Sequence, residues 1–146
     1  GRVLTTAGKV VGEHDGVAFY TIGQRQGLGI GGGIPYYVAE KDTSTNTLTV
    51  AAGPYDERLF QGELVADEVH WLSGWPPSGG FPLRCEARIR YRQPLQECRL
   101  LNVESGDDNP QSTIHVQFDE LQRAVTPGQS IVFYSGQEML GGAIIA

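Results

Sequence analysis

The sequence predicts an all-β protein in two parts, a small β domain over residues 1–60 and a roughly six-stranded antiparallel β-barrel over residues 61–146. Three observations predict it. Twenty glycines and eight prolines in 146 residues demand frequent turns, which favours short strands over helices. Residues 83–91 alternate strictly, with Leu83, Cys85, Ala87, Ile89 and Tyr91 on one face and Arg84, Glu86, Arg88 and Arg90 on the other. Period-two patterning assigns the first set to a core and the second to water. Several more short strands crowd into the second half, and closing them into a barrel removes the edges an open sheet would expose.

In order, residues 2–5 and 9–12 read as two strands joined through the turn signal Ala7-Gly8. Residues 15–20 suit a brief helical turn with Val17 and Tyr20 on one side. Residues 36–41 and 47–52 alternate apolar and polar around Asp42-Thr43-Ser44-Thr45-Asn46, which is the pattern of a hairpin with a polar loop. Gly53-Pro54 closes this unit, and the boundary is placed within residues 56–62. Residues 63–72 carry the β-formers Leu64, Val65, Val69 and Trp71, and the Gly- and Pro-rich residues 73–80 form a loop. Residues 95–104 return, 105–110 turn, and 113–119 alternate again with Ile114, Val116 and Phe118 inward. After Thr126-Pro127-Gly128, residues 131–134 and 139–145 complete about six strands.

The chain has no long apolar run and no charged-then-apolar leader, so a membrane span and a secretory signal are not expected and a cytoplasmic location is. It opens on Gly rather than Met and reads as a piece of a longer protein. A net charge of −6 speaks at first against a nucleic-acid partner, but contact depends on local charge. Arg84, Arg88, Arg90, Arg92 and Arg99 lie in one stretch against only Glu86 and Glu97. Arginine's planar fork suits phosphate and base edges. The plainer alternative is a solvated strand face paired with its own glutamates.

With Gln93-Pro94 as a hairpin tip, Cys98 would face Ile89 and Cys85 would face Asn102, about 13 Å apart at a strand's rise and too far for a disulfide. Buried free thiols are therefore expected. The cysteines lack a metal-like spacing and His14, His70 and His115 are scattered, so no metal site is expected.

The stretch from His14 to Gly33 sets Gln24 and Arg25 between glycines. Gly27-Leu28-Gly29-Ile30-Gly31-Gly32 fits the dinucleotide pattern G-x-G-x-x-G, yet the strand before it and the helix after it are missing, and Pro35 opens a strand instead. The blocks Gly12-Glu13-His14-Asp15-Gly16, Tyr20-Thr21-Ile22-Gly23-Gln24-Arg25 and Gly27-Leu28 resemble the middle of the tRNA-specific 2-thiouridylases. The resemblance continues through Pro35-Tyr36-Tyr37-Val38, residues 87–93 (Ala-Arg-Ile-Arg-Tyr-Arg-Gln), residues 124–129 (Ala-Val-Thr-Pro-Gly-Gln) and residues 140–145 (Leu-Gly-Gly-Ala-Ile-Ile). Residues 57–83 match loosely, and the family's usual Cys before the last Leu-Gly-Gly is here Met139.

The resemblance implies a central β domain and a C-terminal barrel similar to the second domain of elongation factor Tu. It also implies an N-terminal ATP-pyrophosphatase domain, whose phosphate loop and two catalytic cysteines are not in this sequence. The parent enzyme would then thiolate C2 of the wobble uridine. ATP, with Mg, would activate the base in that other domain, and a cysteine persulfide fed by a sulfur-donor protein would deliver sulfur. This chain would be non-catalytic, with tRNA as its partner and no cofactor of its own. The family's tRNA contacts map onto Arg90, Tyr91 and Gln129, and Gln24, Arg25, Arg88 and Arg92 are further candidates for tRNA or for the catalytic domain. Two other functions compete: a methyltransferase acting on the same thiolated base, as the family is sometimes labelled, and a non-catalytic translation-factor-like barrel that binds RNA or protein.

Overall fold

The computed structural model describes residues 1–77, 80–102 and 113–146, and it divides by contact into two units, Gly1–Gln61 and Gly62–Ala146. The expected turn at 105–110 and the end of the strand expected over 95–104 lie outside the described residues.

The first unit holds a four-stranded sheet in the order β2-β1-β4-β3, formed by β1 (Arg2–Thr5), β2 (Val10–Glu13), β3 (Tyr36–Asp42) and β4 (Thr47–Ala52). The two hairpins are antiparallel, and β1 meets β4 in parallel. Asp42 explains the polar loop between β3 and β4, because its carboxylate accepts from the Ser44 amide at 2.9 Å and the Ser44 hydroxyl at 2.6 Å. Val3, Val38, Leu48 and Val50 are wholly buried on one side of the sheet, with Val17 and Leu28 from the connecting segment packed on them. Val17 lies in a single 3₁₀ turn, Val17–Phe19, the helical piece that the sequence suggested.

His14, the centre of the motif, is part of this scaffold. Its ring is buried, Nδ1 accepts from the Gly16 amide at 3.0 Å, and Nε2 therefore carries the hydrogen and donates to the Asn46 carbonyl at 2.8 Å. Both ring nitrogens are committed to the fold.

The second unit is a closed six-stranded barrel in the order β10-β5-β8-β7-β6-β9. Its strands are β5 (Phe60–Trp71), β6 (Leu83–Arg88), β7 (Gln96–Asn102), β8 (Thr113–Arg123), β9 (Ser130–Ser135) and β10 (Glu138–Ile145). Alternation fills the interior: Cys85 and Ala87, Cys98 and Leu100, Ile114 and Val116, Ile131 and Phe133 are all buried in one core with Leu64, Ala66 and Ile145. Closure needs a glycine. A Cβ on Gly141 would lie 2.2 Å from the His70 carbonyl oxygen, so β10 approaches β5 more closely than any side chain allows.

Two expectations from the sequence are corrected here. β6 ends at Arg88 and residues 89–95 form the connection to β7, so the register pairs Leu83 with Leu100 and Cys85 with Cys98. The two sulfurs are 3.8 Å apart rather than separated along the strands; both thiols are free and buried. The same early end of β6 releases Tyr91 from the inward face, and the residue is 89% exposed. A tight Gln93-Pro94 tip fails because Gln93 is used inside the longer loop, where its Oε1 accepts from the Ile89 amide at 2.9 Å.

Candidate nucleic-acid interface

Four of the residues singled out in the sequence converge at one end of the barrel. Arg88, Arg90, Tyr91 and Gln129 line a groove of about 560 Å³ together with Ile89, Ser130, Val132 and Tyr134. Arg88 comes from the last position of β6, and its guanidinium lies over the Tyr134 ring of β9 at 5.5 Å from the centroid. Tyr134 was not among the sequence candidates; the cross-strand pairing of β6 with β9 places it there, and nothing local to Tyr134 announces that pairing.

The loop from Ile89 to Leu95 presents Tyr91 and Arg92 to solvent. A turn closed by the Gln93 amide on the Arg90 carbonyl at 3.2 Å puts Arg92 at φ 71°, a position that usually takes glycine. The Arg92 guanidinium then sits 5.7 Å from the centre of the Tyr91 ring. Three side-chain amides hold this loop. Gln93 Nε2 donates to Gln122 Oε1 at 2.9 Å, and Gln122 Nε2 donates to Gln96 Oε1 at 3.2 Å and to the Glu120 carbonyl at 3.0 Å. Gln122 is buried, and sequence reasoning missed it because a lone glutamine near a strand end carries no pattern.

Arg90 does more than project a charge. Its Nη2 donates to the carbonyl of Arg123 and, at 3.0 Å, to that of Ala124. Burial, and then the nearby Arg123, pull its pKa down from the usual arginine value. Ala124 has φ 55°, and its carbonyl also accepts from the Thr126 hydroxyl at 2.9 Å. The Gln129 amide donates to the Thr126 carbonyl at 3.2 Å, while β10 grips the same turn through Gly128 N–H to Ile145 O at 2.7 Å and Ile145 N–H to Gln129 O at 2.8 Å. Arg90 thus ties the loop bearing Tyr91 to the turn bearing Gln129. Within the groove, Gln129 Oε1 and Arg88 Nε are shut off from solvent without a hydrogen-bond partner.

The other two arginines of the basic stretch are engaged elsewhere. Arg84 and Arg99 stand directly opposite each other on β6 and β7. Arg84 pairs with Asp119 and, at 3.3 Å, with Glu97; Arg99 donates to Gln117 Oε1 at 2.8 Å. Arg84 is thus paired with acids of its own strand face, while Arg99 is held there by a neutral amide.

Gln24 and Arg25 lie in the first unit. The Gln24 side chain closes its own turn, accepting from the Thr21 amide at 3.0 Å and donating to the Gln26 carbonyl at 2.8 Å. Arg25 is exposed, has no carboxylate partner among the described residues, and borders a groove of about 330 Å³ with Leu28, Ile30, Ile34 and Tyr36. Among the described residues no group of three His, Cys, Asp or Glu side chains could hold a metal, and no helix is long and apolar enough to cross a membrane.

Residues 61–145 match the family model described as the aminomethyltransferase beta-barrel domain, and residues 1–52 match the one described as the tRNA methyl transferase PRC-barrel domain. The chain is 52% identical over 151 residues to the tRNA-specific 2-thiouridylase MnmA of Alkalilimnicola ehrlichii, covering 99% of this chain and 39% of that protein. It is 47% identical to the protein of the same name from Marinobacter nauticus, covering 99% and 36%, and 46% identical to that of Legionella pneumophila, covering 99% and 39%. The chain therefore spans less than two fifths of the length of these relatives.

Proposed function

The chain belongs to the tRNA-specific 2-thiouridylase family, and from that premise we propose that it is the part of a wobble-uridine sulfurtransferase that holds tRNA, with its barrel groove as the contact. The observation that carries this reading is the gathering of Arg88, Arg90, Tyr91 and Gln129 in one groove, with Arg92 over the exposed tyrosine. Guanidinium groups neutralise phosphates, an exposed aromatic ring stacks on unpaired bases, and an amide reads donors and acceptors.

The chemistry of sulfur transfer belongs to residues outside this chain. ATP and Mg would be handled there to adenylate the C2 oxygen, and the persulfide of a catalytic cysteine in that part, charged by a sulfur-donor protein, would attack C2 and expel AMP. Cys85 and Cys98 face the barrel core and each other, so neither takes that role. Arg25 is a second candidate contact, for tRNA or for the catalytic part of the protein. A cytoplasmic setting is part of the same proposal.

The descriptions of both matching family models use methyltransferase words. The relatives that share about half of their aligned residues with this chain are named for thiolation, and we follow them.

The direct test is the affinity of the 146-residue chain for tRNA across a salt series. Each arginine that neutralises a phosphate contributes about −0.7 to −0.9 to the slope of log affinity against log salt, so the two groove arginines, Arg88 and Arg90, together with Arg92 on the adjoining loop, give about −2 to −3. Absence of tRNA binding, or binding indifferent to salt, overturns the reading.

A further inference from the structure

We propose that the barrel groove is a seat for one unstacked nucleobase of the bound RNA, chosen by a keto edge such as that of guanine or uracil. This rests on the tRNA-holding reading and specifies what part of the RNA the groove takes.

A site built only for phosphates would be polar throughout. Here Ile89, Val132, Tyr91 and Tyr134 line the groove alongside Arg88 and Arg90. Tyr91 contributes almost nothing to the core, since the residue is 89% exposed. The loop that presents it is nonetheless held by three amides and by a residue in the left-handed region, Arg92 at φ 71°. A backbone held in such a conformation around an exposed aromatic ring marks a contact surface rather than a packing device. Base on tyrosine stacking is the interaction such a ring offers to single-stranded or bulged RNA.

The polar groups set the edge preference. Gln129 turns Oε1 into the wall, which leaves Nε2 as the amide atom for a ligand, and arginine supplies donors alone. Donors facing the groove match carbonyl oxygens and ring acceptors, as in guanine O6 and N7 or uracil O2 and O4. Adenine N6 and cytosine N4 put a donor where guanine O6 and uracil O4 put an acceptor, and so face donor with donor.

The experiment measures binding of the 146-residue chain to fluorescently labelled RNA hairpins that are identical except for one position. One hairpin is fully paired, and four carry a single bulged G, U, A or C. The expected result is that bulged G and U bind about tenfold more tightly than the paired stem, the order of effect that stacking of one base produces, and several-fold more tightly than bulged A or C. Tyr91→Ala should erase the preference for a bulge while keeping salt-dependent binding to the paired stem, and Tyr91→Phe should restore it. Tyr91 is outside the core, so both variants fold.

Equal affinity for bulged and paired hairpins overturns the base seat and leaves the tRNA-holding reading standing. A bulge preference that is the same for all four bases overturns the keto edge. Failure of the unaltered chain to bind any of the hairpins or tRNA overturns both readings.

Discussion

Cys85 and Cys98 face each other across β6 and β7 with their sulfurs 3.8 Å apart inside the barrel. The pair titrates as a unit. Its contact with Cys85, and then burial, push Cys98 far above the usual thiol range, while the same contact pulls Cys85 below its ordinary value. A thiol whose folded pKa is raised keeps its full contribution to stability below its unfolded value of about 8.5 and loses it as pH rises beyond. Urea melts between pH 7 and pH 10 should therefore show stability declining above about 8.5, and Cys98→Val should flatten that limb. The folded chain should also resist a thiol reagent that labels both cysteines after denaturation.

Arg92→Gly separates folding from binding. Glycine takes the left-handed conformation at no steric cost, so the melting temperature should hold or rise. The RNA salt slope should shrink by about one unit, since one phosphate contact is gone. A lower melting temperature with an unchanged slope would contradict the role given to this residue.

Arg90 stabilises two backbone carbonyls with one charged nitrogen. Arg90→Ala should cost about 2 kcal/mol in denaturant unfolding, in the range for hydrogen bonds to charged groups. It should also weaken RNA binding by more than the loss of one phosphate contact, because the turn bearing Gln129 loosens with it. Arg90→Lys should recover the salt slope but only part of the affinity.

The basic stretch should divide in two. Arg84→Gln and Arg99→Gln are expected to leave RNA affinity and its salt slope unchanged, since both side chains are occupied by neighbours on the strand face. The Arg84 guanidinium also holds the Asp119 carboxyl below its ordinary value. That contribution is present above the usual carboxylate range and is lost as pH falls through the depressed folded value. Asp119→Asn should therefore reduce the dependence of stability on pH at the acid end, by a small amount because the pair is exposed.

Gln122→Leu should destabilise the barrel by about 1–3 kcal/mol, because Gln93 and Gln96 lose partners in a partly buried network. Its signature is faster amide hydrogen exchange in residues 89–95 with the rest of the barrel protected, read by mass spectrometry.

The strands were legible because alternation in residues 83–88 and 113–118 is a direct imprint of one buried face. The closed ring followed from their number and the scarcity of helical pattern. What the sequence hid was register. The seven residues from Ile89 to Leu95 look like a strand running into a tight turn, and only the amide contacts of Gln93 and Gln122 show them to be a loop. That one misreading moved the cysteines apart and turned Tyr91 inward. The groove suffered likewise: Arg88 and Gln129 stand out in the sequence, whereas Tyr134 joins them through the β6–β9 pairing and Arg90's grip on Ala124 spans 34 residues. His14 drew attention as part of a motif and proved to be a strut.

Gln129 receives its backbone anchor from Ile145, near the end of the strand that closes the ring. During synthesis, then, the arginines and the tyrosine emerge from the ribosome well before the residue that fixes the opposite wall. A growing chain carries these side chains without the opposite wall, so in the tRNA-holding role proposed above the groove is complete only once the last rungs of the sheet have formed.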